Sequence, residues 1–182
     1  MNPDGTQDKS TVSLYDRDSG GEFFYGVLNA EGGTEALKIT SRASDIHVGG
    51  NEIHGGTEDC LDLNNECQRV SVEFSEWHAN GQYLVTCKGG CSDITLSGCI
   101  VRHGDTTDVD LDNVSEQSTK PTSNIRLNLT TRDGSAVKVR CLGPNSPIIL
   151  NPEQRYEITQ SKRLGALFKL LRALLALFRV KI

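Results

Sequence analysis

The feature that most restricts what this chain can become is a repeat of 24 residues running from Leu37 to Val139. Leu37, Leu61, Val85 and Val109 are spaced by 24, and so are Ile39, Leu63, Cys87 and Leu111. Ile46, Val70 and Ile94 form a second column beside Val48, Val72 and Leu96, and Ile53, Trp77 and Val101 form a third. Ala43, Cys67 and Cys91 keep the same beat ahead of each second strand. Within a column pair the apolar residues alternate, as in Leu61-x-Leu63 and Val70-x-Val72, which is the period of two that marks strands. Short strands at a fixed period of this length predict a parallel β-solenoid.

The physical reason is burial. One coil of three short strands cannot hide its inward face alone, whereas coils stacked about 4.8 Å apart bury each inward residue on its equivalent in the next. The predicted core stack is Leu61, Leu63, Val70, Val72, Trp77, Val85, Cys87, Ile94, Leu96, Val109 and Leu111. The fourth coil is irregular, with 14 residues from Leu111 to Ile125 where Leu63 to Val70 takes 7. Insertions in solenoids map to turns, so Asp112–Thr122 is expected to protrude as a loop. Strands resume as Ile125-x-Leu127, Val137-x-Val139 and Ile148-x-Leu150. Ahead of the repeat, Phe23, Phe24 and Tyr25 are expected to cap an incomplete first coil, with Phe24 set 24 residues before Val48.

The coil length, the inward Val/Ile/Leu columns, the Cys and Asn near turns and the phrase Cys91-Ser-Asp-Ile-Thr-Leu-Ser-Gly-Cys99 resemble the right-handed parallel β-helix proteins. These form the pectate-lyase-like superfamily, which includes phage tailspikes and virion proteins. The resemblance covers roughly residues 22–150. It implies an all-β fold, a right-handed single-stranded parallel β-helix of about five 24-residue coils. Three regions follow: an N-terminal arm at 1–21, the β-helix domain at 22–158 and a C-terminal segment at 159–182. The fold does not fix the activity, because it hosts lyases, hydrolases, adhesins and inert virion parts.

The hydrophobic fraction is 36%, low for a globular core but sufficient where only inward columns are apolar. Met1–Ser19 is polar and lacks the apolar centre of a secretion signal, so the six cysteines are expected as reduced thiols. Cys67 and Cys91, one step apart, stack on adjacent coils either as thiols or as a disulfide. The formal charge of −5 is divided: residues 161–182 carry +6 and the rest −11. An acidic body excludes nucleic acid as the expected partner.

From Ser161 the apolar period changes to that of an amphipathic α-helix. Leu164, Leu167, Phe168, Leu171, Leu174, Leu175 and Phe178 fall on one broad face, with Lys169, Arg172 and Arg179 opposite. Charges recurring through the segment argue against a membrane span. Three destinations remain: an apolar seam or groove on protein, including a trimeric bundle; an in-plane membrane surface; or the open end of its own solenoid. That single end rung is narrower than this apolar stripe, so docking between molecules is preferred.

Chemistry-bearing residues cluster as well. His54, His78 and His103 stand at steps of 24 and 25, each near an inward apolar residue, which places them on an outward face. Carboxylates gather as Glu58, Asp59 and Asp62, then as Asp105, Asp108, Asp110 and Asp112. Were the chain an enzyme, Asp108, Asp110 and His103 would be its catalytic candidates. Were it to bind a cation, Asp108, Asp110 and Asp112 would be the ligands. Polygalacturonase-type hydrolases carry an Asp-Asp pair, a Gly-His-Gly and an Arg-Ile-Lys. Here Glu58-Asp59, Arg102-His103-Gly104 and Val139-Arg140-Cys141 match none in full. No catalytic residue, metal or cofactor is therefore assigned.

The expectation is a non-enzymatic structural and assembly protein, a phage virion component such as a capsid decoration or small spike protein. It would be made in the host cytoplasm, form a homotrimer and dock on another virion or capsid protein through its terminal segments. The competing readings are a β-helix polysaccharide lyase or hydrolase and a peripheral membrane protein.

Overall fold

The computed structural model describes residues 12–15, 19–112, 115, 118–143 and 147–160. The first half of the strands comprises β1 (Val12–Leu14), β2 (Ser19–Asn29), β3 (Glu35–Ile39), β4 (Ser44–His54), β5 (Asp59–Leu63), β6 (Gln68–His78) and β7 (Tyr83–Cys87). The remainder comprises β8 (Ser92–Arg102), β9 (Val109–Leu111), β10 (Ser123–Thr131), β11 (Val137–Cys141), β12 (Ile148–Ile149) and β13 (Tyr156–Gln160). Odd-numbered strands form a seven-stranded sheet and even-numbered strands a six-stranded one. Every strand pairs in parallel with its equivalent in the next coil. The protein is an all-β parallel solenoid of about five coils.

The core lies between the two sheets and is built like on like. Leu37, Leu61, Val85, Val109 and Val139 are paired in one row, and Ile46, Val70, Ile94 and Ile125 in another. All are buried. Thr40 donates to the Asn64 side chain of the next coil, so polar residues are stacked at the corner too. The corner is tight. Ser41 and Arg42, then Asn65 and Glu66, then Gly89 and Gly90 each place two successive residues at positive φ. Such backbone costs least with glycine, which the third of these turns uses.

Five details differ from the sequence reading. The first is that a coil has two strands, because the second and third columns share one 11-residue strand. The strand turns a corner within its length: in β6 the buried residues are Val70, Val72 and Phe74, then Trp77, a change of phase. The second concerns Trp77, which pairs with Ile100, fully buried, while Val101 is only partly buried. Irregular registers between Glu73 and Glu76 and after Trp77 absorb the missing residue.

At the first coil, Phe23 rather than Phe24 meets Val48, and Phe24 is 69% exposed. The solenoid also begins earlier than residue 22: β1 pairs Val12 with Leu37 and Leu14 with Ile39. Lastly, the described part of the insertion folds back on the solenoid. Ser115 donates to Asn65, Ser118 reaches Glu66 at 3.0 Å and Lys120 reaches it at 2.7 Å. The 161–182 segment, and with it the expected amphipathic helix, lies outside the described residues. Among the described residues no helix is long and apolar enough to cross a membrane.

Candidate functional site

Outward residues on the odd-numbered sheet form a charged ladder, because strand pairing sets Lys38, Asp62, Thr86, Asp110 and Arg140 side by side. Asp110 is 4% exposed and takes a two-pronged contact from Arg140, whose Nε lies 2.7 Å from Oδ1. The same guanidinium donates to the Tyr83 hydroxyl at 2.9 Å. Asp62 is approached by Lys88 at 3.4 Å and Lys38 at 3.6 Å. Burial pushes the Asp59 carboxyl up to about 7, with the Asp62 charge adding to the effect, and burial raises Asp62 as well.

His103 and Asp108, separate in the sequence reading, meet at the corner before β9. The His103 Nδ1 lies 2.9 Å from Asp108 Oδ1, and the buried Asp108 also accepts from the Gly104 and Lys138 backbone at 3.2 and 2.8 Å. On the other side His103 Nε2 lies 2.8 Å from the Ser135 hydroxyl. The result is an Asp–His–Ser line, the order found in nucleophilic hydrolases. Its chemistry here is different. Ser135 Oγ also donates to Asp133 Oδ1 at 2.6 Å, so its single hydroxyl proton is drawn to a second carboxylate rather than directed to His103 alone. The Asp133 carboxyl is held down at about 2, chiefly by Ser135. This line ties the β8–β9 connection to the β10–β11 connection of the next coil. Asp112 offers its backbone N–H to the Cys87 carbonyl at 2.9 Å.

A third cluster lies on the even-numbered sheet. β4 and β6 pair Glu52 with Glu76 and His54 with His78. The imidazoles stack with centroids 4.2 Å apart and planes 8° from parallel. His54 Nε2 lies 2.9 Å from Glu52, and His78 Nε2 lies 3.3 Å from Glu76, which also carries Arg132. His54 stands at the rim of an open groove of about 360 Å³, together with Asn29, Gly55, Thr57 and Asn80.

No protein-family profile, curated protein or solved structure matches this chain. The fold and these clusters therefore carry the functional argument by themselves.

The sequence reading placed His54 and His78 on one outward face, where they lie. It missed Ser135 and Asp133, which reach His103 from the next coil across an insertion that breaks the register. It also missed Glu52 and Glu76. Their signal was present, since they are 24 residues apart and two positions before the paired histidines. The helix residues 164–179 proposed for docking lie outside the described residues.

Proposed function

We propose that the chain is a non-enzymatic assembly protein, a short β-solenoid that associates with further copies of itself through its end coils and the segment 159–182. One observation carries this reading. Each sheet ends on strands whose outer edge is taken by no other strand among the described residues: β1 and β2 at one end, β12 and β13 at the other. The same coils hold the large exposed apolar side chains, Phe24 and Val27 at one end and Ile148, Leu150 and Ile158 at the other. Open strand edges beside apolar surface are templates for pairing, and a second copy has the matching rung spacing. The β-helix resemblance supports the narrower reading of a virion component, such as a capsid decoration or small spike protein.

Light scattering tests it. The full chain is expected to have the mass of an oligomer, a trimer on the 3-4 spacing of Leu164–Phe178. Both a chain ending at Thr159 and the Phe24→Lys, Val27→Lys double variant are expected to lose mass. A full chain that stays monomeric at high concentration would refute the proposal.

A polysaccharide-cleaving enzyme is a second reading, favoured by the contrast between Asp59, whose carboxyl burial raises to about 7, and Asp110, ion-paired with Arg140 on the same sheet face. Carboxyls held in different charge states are what glycoside hydrolysis uses. Turnover of an acidic polysaccharide that disappears in Asp59→Asn would favour it over assembly.

A further inference from the structure

We propose that Glu52, His54 and His78 bind a first-row divalent transition-metal ion such as Zn²⁺, independently of the assembly role. The carboxylate oxygen of Glu52 and one ring nitrogen from each histidine all lie within 4.8 Å of one another. Tetrahedral zinc, with bonds of about 2.0–2.2 Å to nitrogen and oxygen, sets neighbouring donors roughly 3.3 Å apart. The ligand atoms therefore need to close by only ~1.5 Å. Glu52 Oε2 is already 2.9 Å from His54 Nε2, so the closure falls to the histidines: one imidazole turns out of the 4.2 Å stack until both ring lone pairs aim at the ion.

The sheet prepares the rest. Parallel pairing of β4 with β6 fixes both histidines in register. The carbonyls of His54 and His78 are each held at 3.0 Å, by the N–H of Ala30 and of Gly55. The two imidazoles are thereby held side by side, with centroids 4.2 Å apart, at neighbouring rungs of one sheet. The pair is also bounded. In the same row Asn29 precedes His54 and Arg102 follows His78, so the donors make one site rather than a continuing ladder. Glu76 has one oxygen on Arg132 and the other 3.3 Å from His78, which leaves Glu52 as the ligating carboxylate and Glu76 as the group that places His78.

Imidazole with carboxylate selects zinc, nickel, cobalt or copper over magnesium or calcium, which prefer oxygen alone. The groove beside His54 gives a path of entry and room for water on the open coordination positions.

The full chain titrated with ZnCl₂ by calorimetry, and with CoCl₂ followed by visible absorption, tests the site. One equivalent is expected to bind, and cobalt is expected to show ligand-field bands without thiolate charge transfer. Replacing even an outer partner of a metal ligand costs about 10–100-fold, so His54→Gln, His78→Gln and Glu52→Gln should each weaken binding by at least ~10-fold. His47→Gln, on the same strand, should leave it unchanged. Circular dichroism and Trp77 fluorescence verify that each variant is folded. Absence of binding, thiolate charge transfer from the cysteines, or full binding by the folded His54→Gln, His78→Gln double variant would overturn the assignment.

Discussion

His103 Nδ1 lies 2.9 Å from Asp108 Oδ1, a contact that joins the end of one coil to the start of the next. Asp108 has no exposed surface and accepts two backbone N–H groups as well. Asp108→Ala leaves those donors without an acceptor and is expected to cost about 2–4 kcal/mol. Ser135→Ala removes only the outer end of the line and is expected to cost about 1 kcal/mol. Urea denaturation reads both, and an Asp108→Ala midpoint equal to that of the wild type would show that the corner holds without the carboxylate.

Asp59 predicts a pH dependence of stability. Its carboxyl is raised from 3.8 to about 7, so between those values the folded chain holds a proton that the unfolded chain has lost. Its contribution is complete below about pH 4 and is lost as the pH rises to about 7. Asp59→Asn removes this slope. The variant should gain stability relative to the wild type at pH 7.5 compared with pH 4.5, as read by urea midpoints. Parallel curves for the two proteins would place the Asp59 carboxyl in water.

Gly98 predicts a steric failure. It adopts φ +137°, and a methyl group there would lie 1.8 Å from the Phe74 carbonyl oxygen and 2.5 Å from the Trp77 indole nitrogen. The indole N–H donates to the Ser97 carbonyl at 2.9 Å, so little can yield. Gly98→Ala is expected to cost about 2–5 kcal/mol from strain and overpacking. Thermal unfolding followed by Trp77 fluorescence measures it, and a melting temperature within a degree of the wild type would disprove the close approach.

The cysteines predict a labelling pattern. Cys67 and Cys91 Sγ atoms lie 3.2 Å apart, a thiol contact rather than a disulfide, and both are buried. Cys60, Cys87 and Cys141 are buried too, and burial raises the Cys60 and Cys141 thiols. Cys99 alone is partly exposed. A thiol reagent should therefore label one cysteine quickly in the native protein and all six after denaturation. Fast native labelling of Cys67 or Cys91 would contradict the stacked core.

Much of the fold was legible because a solenoid repeats one environment. Each inward position in β3, β5, β7 and β9 meets its equivalent, so burial writes the same residue type every 24 positions. The site was legible only in part. His54 and His78 showed as a pair because they obey that step, and Glu52 with Glu76 obeys it too. Ser135 and Arg132 are displaced by the insertion after β9, so no periodic reading leads from them to His103 or Glu76.

The spacing of Leu37, Leu61, Val85 and Val109 determined by itself that the chain coils and that its strands pair in parallel, because a face of two or three apolar residues is buried only by its own repeat. The tertiary structure decided which neighbours meet where the repeat falters. Ile100 rather than Val101 lies on Trp77 because Gly98 yields its place to the Phe74 backbone, and Asp108 is buried because Lys138, 30 residues on, supplies an N–H. Such contacts depend on the path of the backbone through bulges and loops, and a period in sequence carries no record of that path.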